Sequence, residues 1–154
     1  MDEKAAALIE TIRAAFKDVT LEDGVGLFEA QGLDDYKTPE ACHELKQKDV
    51  KRNWEAIPAA DLNQCYSSLS FFDPKGMRFH LPAFLIADLK GKYNFDLVFT
   101  LAHLNDYSKS RFSELSPDQR RAVRAYLSHV RDTEVYALDR PQIDCSLKEY
   151  WIDT

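Results

Sequence analysis

"FFDPKGMRFHLPAF", residues Phe71 to Phe84, crowds four phenylalanines around one arginine and one histidine. It reads either as the hinge of a core or as a site built on Arg78 and His80. Asp73-Pro74-Lys75-Gly76 has the residues of a four-residue turn, with Asp at the first corner, Pro fixing φ at the second and Gly last. Beyond it Met77, Phe79 and Leu81 alternate with Arg78 and His80, the period-two pattern of a half-buried strand. The stretch therefore predicts a small β-hairpin near residues 70–81, with Phe79 and Leu81 in the core and the turn exposed. Arg78 and His80 would share the outer face. Pro82 would stop the strand, and "PAFLIADLKG" would follow as a short buried helix ended by Gly91.

Working outward, the flanks are helical in pattern. "KAAALIETIRAAF" sets Leu8, Ile9, Ile12 and Phe16 on one face and Glu10, Arg13 and Lys17 on the other. "TLEDGVGLFEAQGLDDY" is weakened by three glycines and predicts a short helix plus loop. Thr38, Pro39 and Glu40 open a polar surface helix that runs on to Pro58, anchored by Leu45 and Trp54. Next, "PAADLNQCYSSLSFF" predicts a helix with Leu62, Cys65, Tyr66 and Leu69 on its buried face. "YNFDLVFTLAHL" fits strand or helix, and its helical neighbours favour helix. "SPDQRRAVRAYLSHVRD" opens with a capping box, Ser116 and Gln119, and buries Val123, Tyr126, Leu127 and Val130. A last short helix in "RPQIDCSLKEYW" turns Ile143, Leu147, Tyr150 and Trp151 inward. The fold class is mainly α, a compact helical single domain over residues 1–154 with one small hairpin.

A chain of 154 residues is long enough for one core without metal or disulfide staples. No apolar run approaches the roughly 20 residues that span a bilayer, and the acidic start "MDEK" is unlike a secretory signal. These features place the chain in the cytoplasm and away from membranes. Cys42, Cys65 and Cys145 lack metal or disulfide spacing and read as reduced thiols.

Motifs for chemistry are sparse. His43, His80, His103 and His129 sit at no ligand spacing, so no metal is expected. No nucleophile elbow, phosphate loop or dinucleotide fingerprint occurs, and no cofactor is implied. Arg78 and His80, projecting together from the hairpin, are the best pair for acid–base or anion-binding work. The basic clusters "KQKDVKR" and "RRAVR" lie in a chain of net charge −6, which argues against nucleic acid. Residues 1–40 carry four Lys or Arg against ten Asp or Glu, so the whole excess of charge lies there. Asp18, Glu22, Asp23, Glu29, Asp34 and Asp35 have no basic residue among them, and Phe28 and Tyr36 would supply apolar anchors within the charged rim. This pattern predicts a contact surface for a basic protein.

"WEAIP", "LSFFDPKGMRFHLPAFLIADL" and "RFSELSPDQRRAVRAYL" together resemble a family of small bacterial proteins known only as domain of unknown function 6714. The likeness covers about Leu27 to Trp151 and rests most on Trp54 with Ile57-Pro58, Gly76 to Pro82, and Gln119 to Leu127. It implies a bacterial source and brings no reaction, cofactor or catalytic residue. Small acidic bacterial proteins of this kind resemble partners of toxins or regulators. The expected function is a protein-binding module, an immunity-type protein neutralising a basic toxin through its acidic surface. The alternative is a small enzyme using Arg78 and His80, which would show a concave pocket around them. A structural subunit would instead expose a sizeable apolar patch.

Overall fold

Asp73 decides how the central stretch folds. In the computed structural model, which describes residues 2–152, the Asp73 Oδ1 accepts the backbone N–H of Gly76 at 2.8 Å. Pro74 takes the first helical position, so Asp-Pro-Lys-Gly is the cap and first turn of a helix, α5, Pro74–Leu89. No β-strand occurs among the described residues, and the hairpin expected at 70–81 is replaced by this helix. The reason is local: a type I turn has near-helical dihedrals at both central residues, so the same four residues begin a helix whenever the chain continues in that conformation. The turn is accordingly half-buried rather than exposed, with Gly76 fully inside.

The alternation of Met77, Phe79 and Leu81 fails as a strand signal because of where α5 sits. All three are 0% exposed, but so is His80 between them, and Phe84 and Leu85 follow at 0%. A helix buried on most sides shows no polar face, so its period of 3.6 cannot be read from hydrophobicity. Pro82 lies inside α5 and removes one helical hydrogen bond, a cost of about 3 kcal/mol. Full burial of one large apolar side chain contributes about 1.5–3 kcal/mol, so Leu81, Phe84 and Leu85 together outweigh it. The helix runs through.

Around α5 lie α1 (Glu3–Ala15), α2 (Leu27–Asp34), α3 (Pro39–Lys46), α4 (Ala59–Gln64), α6 (Leu97–Ala102), α7 (Asp106–Ser110), α8 (Pro117–Val130) and α9 (Arg140–Glu149). Three 3₁₀ turns, Trp54–Ala56, Tyr66–Ser70 and Glu134–Asp139, join them. Helix α1 packs between α5 and α8, α2 pairs with α3 and rests on the 66–70 turn, and α9 closes over α6 and α8. One hydrophobic cluster runs from Leu8 to Trp151. The expected inner faces of α1 and α8 are buried, and Ser116 and Gln119 form their capping box. Gln119 also reaches the carbonyl of Ala15 at 3.2 Å, tying the start of α8 to the end of α1.

Two helices end sooner than their patterns predict. The helix from Pro39 stops at Lys46, and Trp54 belongs to a separate 3₁₀ turn whose indole N–H donates to the Phe16 carbonyl at 3.0 Å. Likewise α4 ends at Gln64, where Cys65 leaves helical dihedrals (φ −107°, ψ 40°), so Tyr66 swings out to 48% exposure while Cys65 and Leu69 stay buried. The ambiguous 93–104 segment is helical over Leu97–Ala102, begun by Asp96, whose side chain accepts the Phe99 N–H at 3.0 Å.

Truncating Phe79 to Ala is expected to cost at least about 3 kcal/mol in denaturant melts, as for other fully buried aromatics. A loss below about 0.5 kcal/mol would place Phe79 outside the core.

Candidate functional site

Helix α2 carries two of the six acids, Glu29 and Asp34, and its start is built from distant residues. Its N-cap, Gly26, has no side chain, so Asp49 supplies the cap from across the structure: its Oδ1 accepts the Phe28 N–H at 2.6 Å and its Oδ2 the Glu29 N–H at 3.3 Å. A Cβ on Gly26 would meet the Asp49 carboxylate at 1.9 Å, so only glycine fits there. Asp49 is 7% exposed, and this burial raises its carboxyl above the ordinary range, opposed by the two amides. The Lys46 ammonium reaches both the Gly24 carbonyl at 2.7 Å and the Glu29 carboxylate at 3.2 Å. Sequence reasoning missed Asp49 as a capping residue because a cap contributed from about twenty residues away leaves no local signature. The three glycines of the segment, Gly24, Gly26 and Gly32, are buried where loops and helices approach closely, not exposed.

Half of the six acids that look unopposed in the sequence are paired in the fold. Glu22 bonds to the Arg78 guanidinium, Asp23 to Lys75 at 2.7 Å, and Glu29 to Lys46. Lys75 holds the Asp23 carboxyl below its usual range through that hydrogen bond. Asp18, Asp34 and Asp35 have no basic partner within 4.0 Å among the described residues. Asp18 lies before α2 and the other two at its far end, separated by a helix about 12 Å long at 1.5 Å per residue. Phe28 is partly buried against the core. Tyr36, by contrast, stands 96% exposed with φ +57° at the corner between α2 and α3, beside Leu33 at 43%.

Arg78 and His80 do not form a pair. Two residues apart on a helix, they point to nearly opposite sides. Arg78 is held between Glu22 and Glu114, the latter at 3.7 Å. His80 is 0% exposed, stacked on Phe72 with ring centroids 4.4 Å apart, and its Nδ1 lies 2.7 Å from the Gly76 carbonyl. Because a carbonyl only accepts, Nδ1 carries the proton. Nε2 then has no partner among the described residues. Burial pulls the His80 pKa down to about 4, with the Gly76 carbonyl and Asp73 acting weakly the other way.

Elsewhere, no group of three or more metal-ligating side chains occurs among the described residues, and no helix is long and apolar enough to cross a membrane. All three thiols are free, Cys42 and Cys65 buried and Cys145 exposed. Burial raises the Cys65 thiol to about 12, which keeps it in the unreactive protonated form. Phe99, Val135 and Leu138 are exposed near the His103–Asp139 contact at 4.0 Å, where α6 approaches the 134–139 turn.

These features define a mainly helical protein with one contiguous core and a charged, aromatic corner at the α2–α3 junction. The chain belongs to the family of unknown function DUF6714, whose profile matches residues 4–154. No curated protein and no solved structure matches it.

The state of His80 gives a pH test. Neutral in the fold down to about pH 4 and protonated below about pH 6.5 once unfolded, it makes the unfolded state bind more protons in that window. Stability should therefore fall with pH, by about 2 kcal/mol from this residue between pH 7 and pH 5. His80→Gln should remove that share of the slope, and the wild-type ring should show no NMR titration over the same range. A ring that protonates near pH 6.5 in the native protein would contradict its burial.

Proposed function

We propose that this chain is a protein-binding module that receives a basic partner protein at the α2–α3 corner. The observation that supports it is Tyr36. A non-glycine residue at positive φ carries a backbone cost of about 1 kcal/mol or more, and this one projects an aromatic ring that gains nothing from the core. Such a ring gains on association, where tyrosine is a favoured anchor. Around it Leu33 adds apolar surface, and Asp34 and Asp35 add charge not neutralised within the fold. The complementary partner is basic, and its approach is steered by these carboxylates. An immunity-type protein that neutralises a basic toxin in the cytoplasm is the most specific form of this reading. Asp18, Glu22, Asp23, Glu29 and Phe28 contribute less, because distance, internal pairing or burial removes them from the corner. Enzymatic use of Arg78 with His80 has no comparable support, since one side chain is tied into ion pairs and the other is inside the core.

Reversing Asp34 and Asp35 to Lys should leave the fold intact, because surface changes shift stability by about 0.5 kcal/mol and cations suit a helix C-terminus. Association with the basic partner, isolated from the source organism or expressed from a neighbouring gene, should slow at least about tenfold in this variant. The wild-type rate should fall steeply as salt rises past physiological strength, where the Debye length is about 8 Å. Tyr36→Ala should mainly speed dissociation. Equal rates for wild type and charge-reversed protein across the salt series would refute the reading.

A further inference from the structure

The C-terminal half of α5 is not covered evenly. Phe84 and Leu85 are 0% exposed, whereas Ala83, Ile86 and Ala87 keep 7–8%. These three fall on one side of the helix at spacings of three and four, and they form the floor of a groove of about 160 Å³. Arg13 of α1, Trp54, Glu55 and Ile57, and Leu62 of α4 complete most of its lining. The two alanines leave the room that larger residues would fill. Lys90 and Lys92, both exposed, also line it.

The charge of this groove is opposite in sign to that of the chain as a whole. Its lining holds three cations, Arg13, Lys90 and Lys92, against one carboxylate, Glu55, in a chain of net charge −6. Arg13 is already engaged, its Nε 2.8 Å from the Glu55 carboxylate and its guanidinium also on Glu10. Neither lysine has an acidic partner within 4.0 Å among the described residues. Helix α5 ends at this point, and its C-terminal dipole places about half a negative charge there. Two full positive charges exceed it, so this part of the lining is net positive.

The geometry points to a binding site for a small organic carboxylate, its apolar body on Ala83, Ile86 and Ala87 and its charge between Lys90 and Lys92. The volume admits about eight heavy atoms at interior packing density, the size of a short-chain or single-ring acid. An apolar floor with a few polar groups at the rim is the usual form of such a site. This site is separate from the α2–α3 corner and does not depend on the partner proposed there.

Hexanoate and its neutral isostere hexanamide, titrated into the isotopically labelled full chain and followed by NMR, test the assignment. Hexanoate should shift the Ala83 and Ala87 methyl signals and the Trp54 indole signal, with a Kd at or below about 5 mM for so small a ligand. Hexanamide should bind at least about fivefold more weakly. The double variant Lys90→Glu/Lys92→Glu, altered only at exposed positions, should weaken hexanoate at least about tenfold and leave hexanamide nearly unchanged, while the melting temperature falls by only a few degrees because carboxylates then face the negative end of α5. The proposal is overturned by absent shifts at Ala83 and Ala87 up to about 50 mM, by equal affinity for acid and amide, or by indifference to the charge reversal.

Discussion

The carboxylate of Asp73 joins two parts of the chain that are far apart in sequence. Its Oδ1 accepts the Gly76 N–H at the start of α5 and also the Val25 N–H at 2.9 Å, in the loop that leads into α2. One oxygen thus starts the central helix and fixes the approach of the acidic segment to it. The fit is close enough that a Cβ on Gly76 would meet the Val25 carbonyl at 2.4 Å. Just beyond, the Ser68 hydroxyl donates to the Leu27 carbonyl at 2.6 Å, so α2 is held at its first residue from a second side. With α5 placed, its neighbours bury their apolar faces against Met77, Phe79, Leu81, Phe84 and Leu85. A helix that central has little surface left for a catalytic pair, which is why His80 serves as a packed ring on Phe72.

Charge follows from the same arrangement. The loop pinned by Asp73 brings Glu22 and Asp23 against Arg78 and Lys75 of α5, and the Asp49 cap is accompanied by the Lys46–Glu29 pair. The acidic surplus of the first forty residues is therefore partly consumed in holding α2 to the body of the protein. Of the carboxylates left unpaired, Asp34 and Asp35 lie at the α2–α3 corner, where an exposed aromatic ring accompanies them. A binding surface there draws on the charge that the fold leaves over, while the groove beside Lys90 and Lys92 has the opposite sign and the scale of a small molecule.

Much of this was legible in the sequence and some was not. The capping box at Ser116, the Thr38-Pro39 start and the apolar faces of α1 and α8 are local signals, and each holds. The four residues Asp73 to Gly76 are equally valid as a hairpin turn or a helix start, and the alternation that follows tipped the reading toward a strand only because α5 is buried nearly all round. Pro82 was a stop signal overridden by packing. The pairs Arg78–Glu22, Lys75–Asp23 and Lys46–Glu29 join residues 17 to 56 positions apart, so a count along the segment could not find them. The groove is likewise made by α1, α4 and α5 together, and Lys90 and Lys92 alone resemble any solvated pair.

The helical state of the central stretch is tested most directly by NMR assignment of residues 70–90 in the full chain. A capped helix predicts contacts from each α-proton to the amide three residues on between Asp73 and Leu89, with the Pro82 δ-protons standing in for its missing amide, together with contacts between the His80 and Phe72 rings. Strong α-proton contacts to the next amide, with cross-strand contacts from Phe72 to Met77 or Phe79, would show a hairpin instead. That result would return Arg78 and His80 to one shared, accessible face.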